Sequence, residues 1–202
     1  MVLSSKIFDL DKFLYISFIK MDLKVREDLY KLIKPNSMCL ELGVARGDYS
    51  LSLLENSENI NHLYSIDMWA DHHDINEYKI VIGKLDKHKE RNSIIKLKFD
   101  QALDIFPDAY FDFIYIDGYA HTGEEDGKTF NNWWKKLKSG GVFSGDDYDI
   151  YKWPKVYNNV NTFCRQNDLK LHVIQNLIED RNKASFITTG MDLSPSWYTF
   201  KH

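Results

Sequence analysis

The sequence predicts an α/β fold: a mostly parallel seven-stranded sheet with helices on both faces and an antiparallel C-terminal edge hairpin. Three observations carry this. Strand-length apolar runs alternate with helical patterns for most of the chain, which gives parallel strands joined by helical crossovers. The last two runs, "KLHVIQN" and "KASFITT", leave no room for a full helix between them, so they pair as an antiparallel hairpin. Acids stand at the carboxyl ends of several runs, where open α/β sheets bind ligands.

The elements follow in order. "KVREDLYKLI" has helical spacing, with Val25, Leu29, Leu32 and Ile33 on one side, and Pro35 ends it. "SMCLELG" reads as a buried strand and "DYSLSLLEN" as a helix. "HLYSID" is a strand ending at Asp67, "INEYKIVIGKLDKHKE" a helix, "SIIKLKF" a strand and "DQALDIF" a short helix. "YFDFIYID" is a strand ending at Asp117. "GKTFNNWWKKLK" is a helix closed by Ser139-Gly140-Gly141, and "GVFSGDD" a strand ending in acids. "WPKVYNNVNTFCRQN" is a helix with Pro154 in its first turn. The tail "SWYTFKH" either folds over a ligand or packs an edge.

At 202 residues the chain is expected to be a single domain, with an N-terminal helical extension over about 1–35 and a core over about 36–190. Its net charge of −4 and scattered basic residues argue against a nucleic-acid partner. Cys39 and Cys164 lie in apolar contexts without ligand spacing and read as buried thiols of a reducing, cytoplasmic compartment. No apolar run approaches a membrane span, and the N-terminal segment lacks a signal peptide's uncharged core. That amphipathic segment is a candidate homodimer contact.

In "CLELGVARGDYSLSLL", Glu41 stands two residues before Gly43, and Gly47 follows four later. Either the glycines only make a tight turn, or they clear room for a ligand beside the backbone and the next helix's free N–H groups. A dinucleotide site would show Gly-x-Gly-x-x-Gly. An acid beside Gly43 suits a cationic, amino-acid-bearing ligand better than a pyrophosphate, and Asp67 is placed to accept from ribose hydroxyls.

On these motifs the chain resembles the Rossmann-like class I S-adenosylmethionine-dependent methyltransferases. "LELGVARG" resembles their first motif, "LYSIDMW" the ribose-binding acid, "KFDQALDIF" the adenine-flanking segment, "FDFIYIDG" the fourth-strand motif and "LKSGGVFSGDDY" the turn into strand five. The resemblance implies S-adenosyl-L-methionine as cofactor, held by Glu41, Gly43, Gly47, Ser50, Asp67, Met68, Asp100, Gln101 and Asp117. Asp100 and Gln101 are equally suited to capping the helix that follows.

A second constellation joins Asp117 to Asp146 and Asp147 at the ends of neighbouring strands. Carboxylates that close repel unless a cation joins them, and oxygen-only donors suit Mg²⁺ or Mn²⁺. One of the adjacent pair Asp146 and Asp147 is free to point away. His121, four residues past Asp117, is a natural general base. Here the sequence is similar to macrocin-O-methyltransferase-like and cephalosporin-hydroxylase-like proteins, with His121, Trp133-Trp134 and "GDDY" in that subset's order and Asp117 to His121 spaced one residue longer. The similarity implies divalent-metal-assisted O-methylation of a sugar, glycan or glycosylated small molecule, with His121 and Asp117 catalytic. A more remote likeness is to the methyltransferase domain of a chlorovirus glycan-assembling protein, which implies a larger multidomain protein in host cytoplasm. The alternatives are a catechol-type small-molecule O-methyltransferase, a nicotinamide-dependent oxidoreductase, and a non-catalytic binding domain on the same fold. Trp133 and Trp134 read as helix packing, His72 and His73 as surface residues, and "GEEDG" as a solvated loop and helix start.

Overall fold

The structure is a computed structural model that describes residues 22–70, 73–118, 127–177 and 194–202. A 3-10 turn, Arg26–Leu32, comes first. The strands are β1 (Ser37–Leu42), β2 (Ile60–Asp67), β3 (Asn92–Lys96), β4 (Phe111–Ile116), β5 (Leu137–Gly145), β6 (His172–Ile174) and β7 (Ser196–Phe200). The helices are α1 (Asp48–Asn56), α2 (Ile75–Leu85), α3 (Phe99–Ala102), α4 (Lys128–Lys136) and α5 (Pro154–Gln166). The sheet has seven strands in the order β3-β2-β1-β4-β5-β7-β6. The first five pair in parallel, and β7 is antiparallel to both of its neighbours.

Alternate side chains of the central strands enter opposite layers. Leu40, Leu42, Ile114, Ile116 and Phe143 pack with Phe130 and Trp133 of α4 and Val160 and Phe163 of α5. Cys39, Leu63, Phe113, Tyr115 and Val142 pack with Leu53 of α1, Val81 of α2 and Leu29 and Leu32 of the first turn. This two-sided burial is why the strands read as nearly continuous apolar runs.

Four boundaries differ from the sequence reading, each for a local reason. The first element is 3-10, because its buried Arg26, Leu29 and Leu32 recur every third residue, the repeat that lines up one face of a 3-10 turn. It packs on α1 and the sheet, so the core begins near Val25 and the segment before β1 is no separate extension there. The helix closed in the sequence by Ser139-Gly140-Gly141 ends at Lys136, and those residues lie inside β5. Leu137 already pairs with Phe111, and an irregular register then brings Val142 opposite Phe113. Finally, the strand antiparallel to β6 is Ser196–Phe200, so the core extends past 190. "KASFITT" lies outside the described residues.

Gly83 lies inside α2, and a Cβ there would meet nothing within 4 Å. Gly83→Ala is therefore expected to raise stability by about 1 kcal/mol by restricting the unfolded chain. Thermal denaturation should show a Tm about 2–4 °C higher.

Candidate functional site

The loop after β1 is held by its neighbours on both sides. Gly43 N–H donates to the Ile66 carbonyl at 2.9 Å, and Asp117 N–H to the Leu42 carbonyl at 2.7 Å. Gly43 has φ +88°, and a Cβ on it would lie 1.4 Å from the Asp117 carbonyl oxygen and 2.8 Å from Gly118 Cα. Gly47, at φ +74°, would place a Cβ 3.3 Å from a Val81 methyl. Both glycines thus clear room for protein: Gly43 for the end of β4, Gly47 for α2.

Asp67 locks this loop to the end of β2. Its Oδ2 accepts from the N–H groups of Val44 and Ala45, both at 2.9 Å, and its Oδ1 accepts from Trp69 N–H at 3.0 Å. Trp69 Nε1 donates back to the Ala45 carbonyl at 2.8 Å. Ala45 and Trp69 both sit at positive φ, 47° and 40°. Such backbone persists only where its surroundings over-determine it, which happens most at ligand clamps. Met68, between them in sequence, is half-buried.

Glu41, near the end of β1, is fully enclosed. It accepts from Ser50 Oγ of α1, which is itself 2.7 Å from Ser65 Oγ, and Asn92 Nδ2 donates to Ser65 Oγ at 3.0 Å. Ser50 therefore bonds protein partners and is buried, away from any surface a ligand would touch. Burial pushes the Glu41 carboxyl up to about 8; Asp117 and Asp67 add to the rise, while Ser50 and Arg26 oppose it.

At the ends of β4 and β5 the cation expected between the carboxylates is present, and it is Arg26. Its Nη1 donates to Asp117 Oδ2 at 2.9 Å, to Asp146 Oδ2, and to Tyr115 Oη at 3.3 Å. Its guanidinium carbon lies 5.1 Å from the Tyr49 ring centroid. Burial alone would lower the Arg26 pKa, but Tyr115, Asp146, Asp117 and Glu27 outweigh it and the group stays charged. Asp146 accepts from Ser196 Oγ at 2.7 Å through its other oxygen. Burial raises the Asp146 pKa despite the pull of Arg26. The side chains of Arg26 and Asp146 are 7% and 6% exposed, whereas Asp117 is 22% exposed and is the member that meets the rim. Asp147 is buried, at φ 61°.

This arrangement does not fit the Mg²⁺ or Mn²⁺ site expected from Asp117, Asp146 and Asp147. Among the described residues no group of three or more His, Cys, Asp or Glu is arranged to hold a metal ion. A guanidinium already bridges two of the three carboxylates.

Other expected residues fall in different places. Asp100 and Gln101 are exposed on the first turn of α3, beyond the end of β3. Gln101 Oε1 accepts from Lys98 N–H at 3.2 Å, so one of the two does cap the helix. Trp133 is buried, and Trp134 packs edge-on to Phe143 and Phe163, so both are core residues. His73 is paired with Glu77 at 2.6 Å. His121, His72 and most of "GEEDG" lie outside the described residues. Among the described residues no helix is long and apolar enough to cross a membrane.

The sequence reading missed Arg26 and Asn176. Asn176 Oδ1 accepts from Arg26 N–H at 2.7 Å, and its Nδ2 donates to the Ser194 carbonyl and to Ser196 Oγ. Asn176 has φ 52°, a conformation asparagine tolerates better than most residues. The one signal for Arg26 was its place three residues before Leu29 and six before Leu32, on the apolar face.

A family model described as "Methyltransferase domain" matches residues 40–148, more than half of the chain. No curated protein matches. Among solved structures, an O-methyltransferase from Bacillus cereus in complex with SAH aligns with TM-score 0.61 and 16% identity, over 95% of this chain and 90% of that one. A SAM-dependent O-methyltransferase from Thermotoga maritima gives TM-score 0.60 and 13% identity, over 92% and 69%. Spermidine synthase from Thermotoga maritima gives TM-score 0.61 and 14% identity, over 95% and 60%. At such identities these structures show the shared fold, which evidently serves more than one chemistry. The family match supplies what fold alone does not: with the end of β1, its glycine loop and the acid ends of β2, β4 and β5 all inside the matched span, the chain belongs to the methyltransferase-domain family, on the class I S-adenosylmethionine-dependent fold.

Proposed function

We propose that this domain methylates a hydroxyl oxygen, on a sugar, glycan or glycosylated small molecule. The observation that carries the reading is the convergence of Glu41, Asp67 and Asp117 toward the ends of three adjacent strands, β1, β2 and β4. Asp67 and Asp117 at these ends favour a cationic ligand with a ribose diol, and Glu41, enclosed beneath them, supports the glycine loop from within. Asp67 would take the ribose, Met68, Asp100 and Gln101 would flank the base, and the loop over Gly43 to Gly47 would carry the amino-acid end. When bound, S-adenosylmethionine supplies an electrophilic methyl group, so that the acceptor C–O bond forms as C–S breaks and S-adenosylhomocysteine is left. Asp117, half-buried and more open than Asp146, would lie beside the cationic end of the cofactor. His121 is proposed to take the hydroxyl proton on its imidazole nitrogen. The rest of the rate enhancement would come from positioning.

The test combines binding and turnover. Calorimetric titration of S-adenosylhomocysteine into the purified protein should show one micromolar site. Labelled methyl transfer to a panel of glycosides and catechols should then identify the acceptor class. His121→Ala is expected to lose at least ~100-fold in turnover, as removal of a general base does, while binding S-adenosylhomocysteine as before. No cofactor binding would overturn the enzyme reading. Turnover of catechols alone would transfer the assignment to small aromatic diols.

A further inference from the structure

The loops after β1 and β2 are tied to each other and to the end of β3. Ala45, in the first loop, is bonded on both sides: its N–H donates to Asp67 Oδ2 at 2.9 Å, and its carbonyl accepts from Trp69 Nε1 at 2.8 Å. Past the end of β2, three successive carbonyls are taken up by the end of β3. That of Asp67 accepts from Leu97 N–H at 3.0 Å, and those of Met68 and Trp69 accept from Lys96 Nζ at 2.5 and 3.2 Å. Lys96 thus fixes the turn that carries Trp69, and Trp69 fixes the loop that carries Ala45.

This clamp stands where the backbone resists it. Ala45 and Trp69 hold φ of 47° and 40°, a conformation that residues with a Cβ leave unless they are restrained. The Trp69 indole is itself immobilised: it is 2% exposed, its ring centroid lies 4.8 Å from that of Tyr78, and it shares a core cluster with Val44 and Val81. Without the Ala45 carbonyl its N–H would be a buried donor lacking this bond, which opposes any shift of the loop. Lys96 is exposed and reaches its two carbonyls from the surface, so removing its ammonium takes away the brace without opening the core. Both side chains spend these donors on main-chain carbonyls. A ligand that bridges two loops loses affinity with any freedom the loops have relative to each other, because binding must then order them.

We propose that Trp69 and Lys96 are positioning residues for the cofactor. Lys96 braces the turn after β2, Trp69 passes that restraint to Ala45, and the loop over Gly43 to Gly47 is set at the spacing S-adenosylmethionine requires before the ligand arrives. The inference rests on the proposed placement of the cofactor across these two loops.

S-adenosylhomocysteine is titrated calorimetrically into the wild type, Lys96→Met, Lys96→Arg, Trp69→Phe and the double variant Lys96→Met/Trp69→Phe. Amide hydrogen exchange and thermal unfolding are followed in the ligand-free proteins. Lys96→Met should bind about 10-fold more weakly and Trp69→Phe at least as weakly, a loss of the size of one hydrogen bond. Lys96→Arg keeps the charged donors and should restore most of the affinity. The double variant should be no weaker than Trp69→Phe, because Lys96 acts through Trp69. In Lys96→Met, exchange should quicken at Val44 and Ala45, whose N–H groups Asp67 holds, while β1 and β4 exchange as in the wild type and Tm stays within about 2 °C. Wild-type affinity in both Lys96→Met and Trp69→Phe would overturn the positioning role alone. So would fully additive losses in the double variant, or a loss of affinity accompanied by faster exchange across the whole sheet, which is ordinary destabilisation. A wild type that binds no S-adenosylhomocysteine would overturn the cofactor placement, and the positioning role with it.

Discussion

Gly43→Ala is expected to leave no cooperatively folded protein. The new Cβ would stand 1.4 Å from the carbonyl oxygen of Asp117. That atom is backbone of the residue just after β4, whose N–H is bonded to the Leu42 carbonyl, so it has no side-chain rotation by which to retreat. Relief requires parting the end of β1 from the end of β4, where Asp117 N–H is bonded to the Leu42 carbonyl. The φ of +88° adds strain that alanine carries and glycine does not. The combined cost exceeds about 4 kcal/mol, a large share of what a domain of this size has. Soluble yield and chemical denaturation check it. Gly47→Ala is the graded comparison, because there the clash is with a Val81 methyl at 3.3 Å, and a side chain can shift. A Gly43→Ala protein melting within about 3 °C of wild type would mean that the two strand ends are not in contact.

The second large effect is a dependence on pH that one substitution should remove. Burial holds the Glu41 carboxyl protonated up to about pH 8 in the folded chain, whereas in the unfolded chain it ionises near its ordinary value of about 4.3. Between those limits the folded state keeps a proton that the unfolded state releases. Stability is therefore fully present below the lower limit and is lost as pH rises through the window, at about 1.4 kcal/mol per pH unit. Glu41→Gln has the shape of the protonated acid and no such proton. The variant should gain on wild type steadily from pH 5 to pH 8, by several kcal/mol and on the order of 10 °C in Tm. Parallel stability–pH profiles for the two proteins would show that Glu41 is ionised when folded.

The parts of the fold legible in the sequence were those fixed by local pattern. β1, β2 and β4 announced themselves because a strand buried on both sides must be apolar along its length, and because an acid marks where it leaves the core. α1 and α5 were equally plain, the latter from Pro154 at its start. β7 was harder: "SWYTF" carries aromatic residues that suit a strand, but it was read as a tail because nothing in its own residues says which edge it joins. The candidate site divides in the same way. The acids at strand ends were visible, as was their need for a cation. The identity of that cation was not. It depends on a contact between Arg26 and two aspartates that are remote in sequence, and a charged residue on the first turn of a short helix ordinarily reads as solvated. Ser50 was expected at the cofactor from the family resemblance alone, and the fold gives its hydroxyl to Glu41, a contact that the sequence does not announce.

The strand order has a consequence for how the chain is made. β7 lies between β5 and β6, so the sheet is not completed in the order in which its strands are synthesised. β6 leaves the ribosome first yet, among the described residues, pairs with β7 alone, and β5 keeps one open edge until Trp197 and Tyr198 arrive opposite Gly145 and Ser144. The same late strand brings Ser196 to Asp146. A nascent chain that has produced β6 but not residues 196–200 therefore exposes an unpaired edge beside a half-assembled charge cluster. In that interval it is open to chaperone capture and to self-association, and the interval closes with a single five-residue strand.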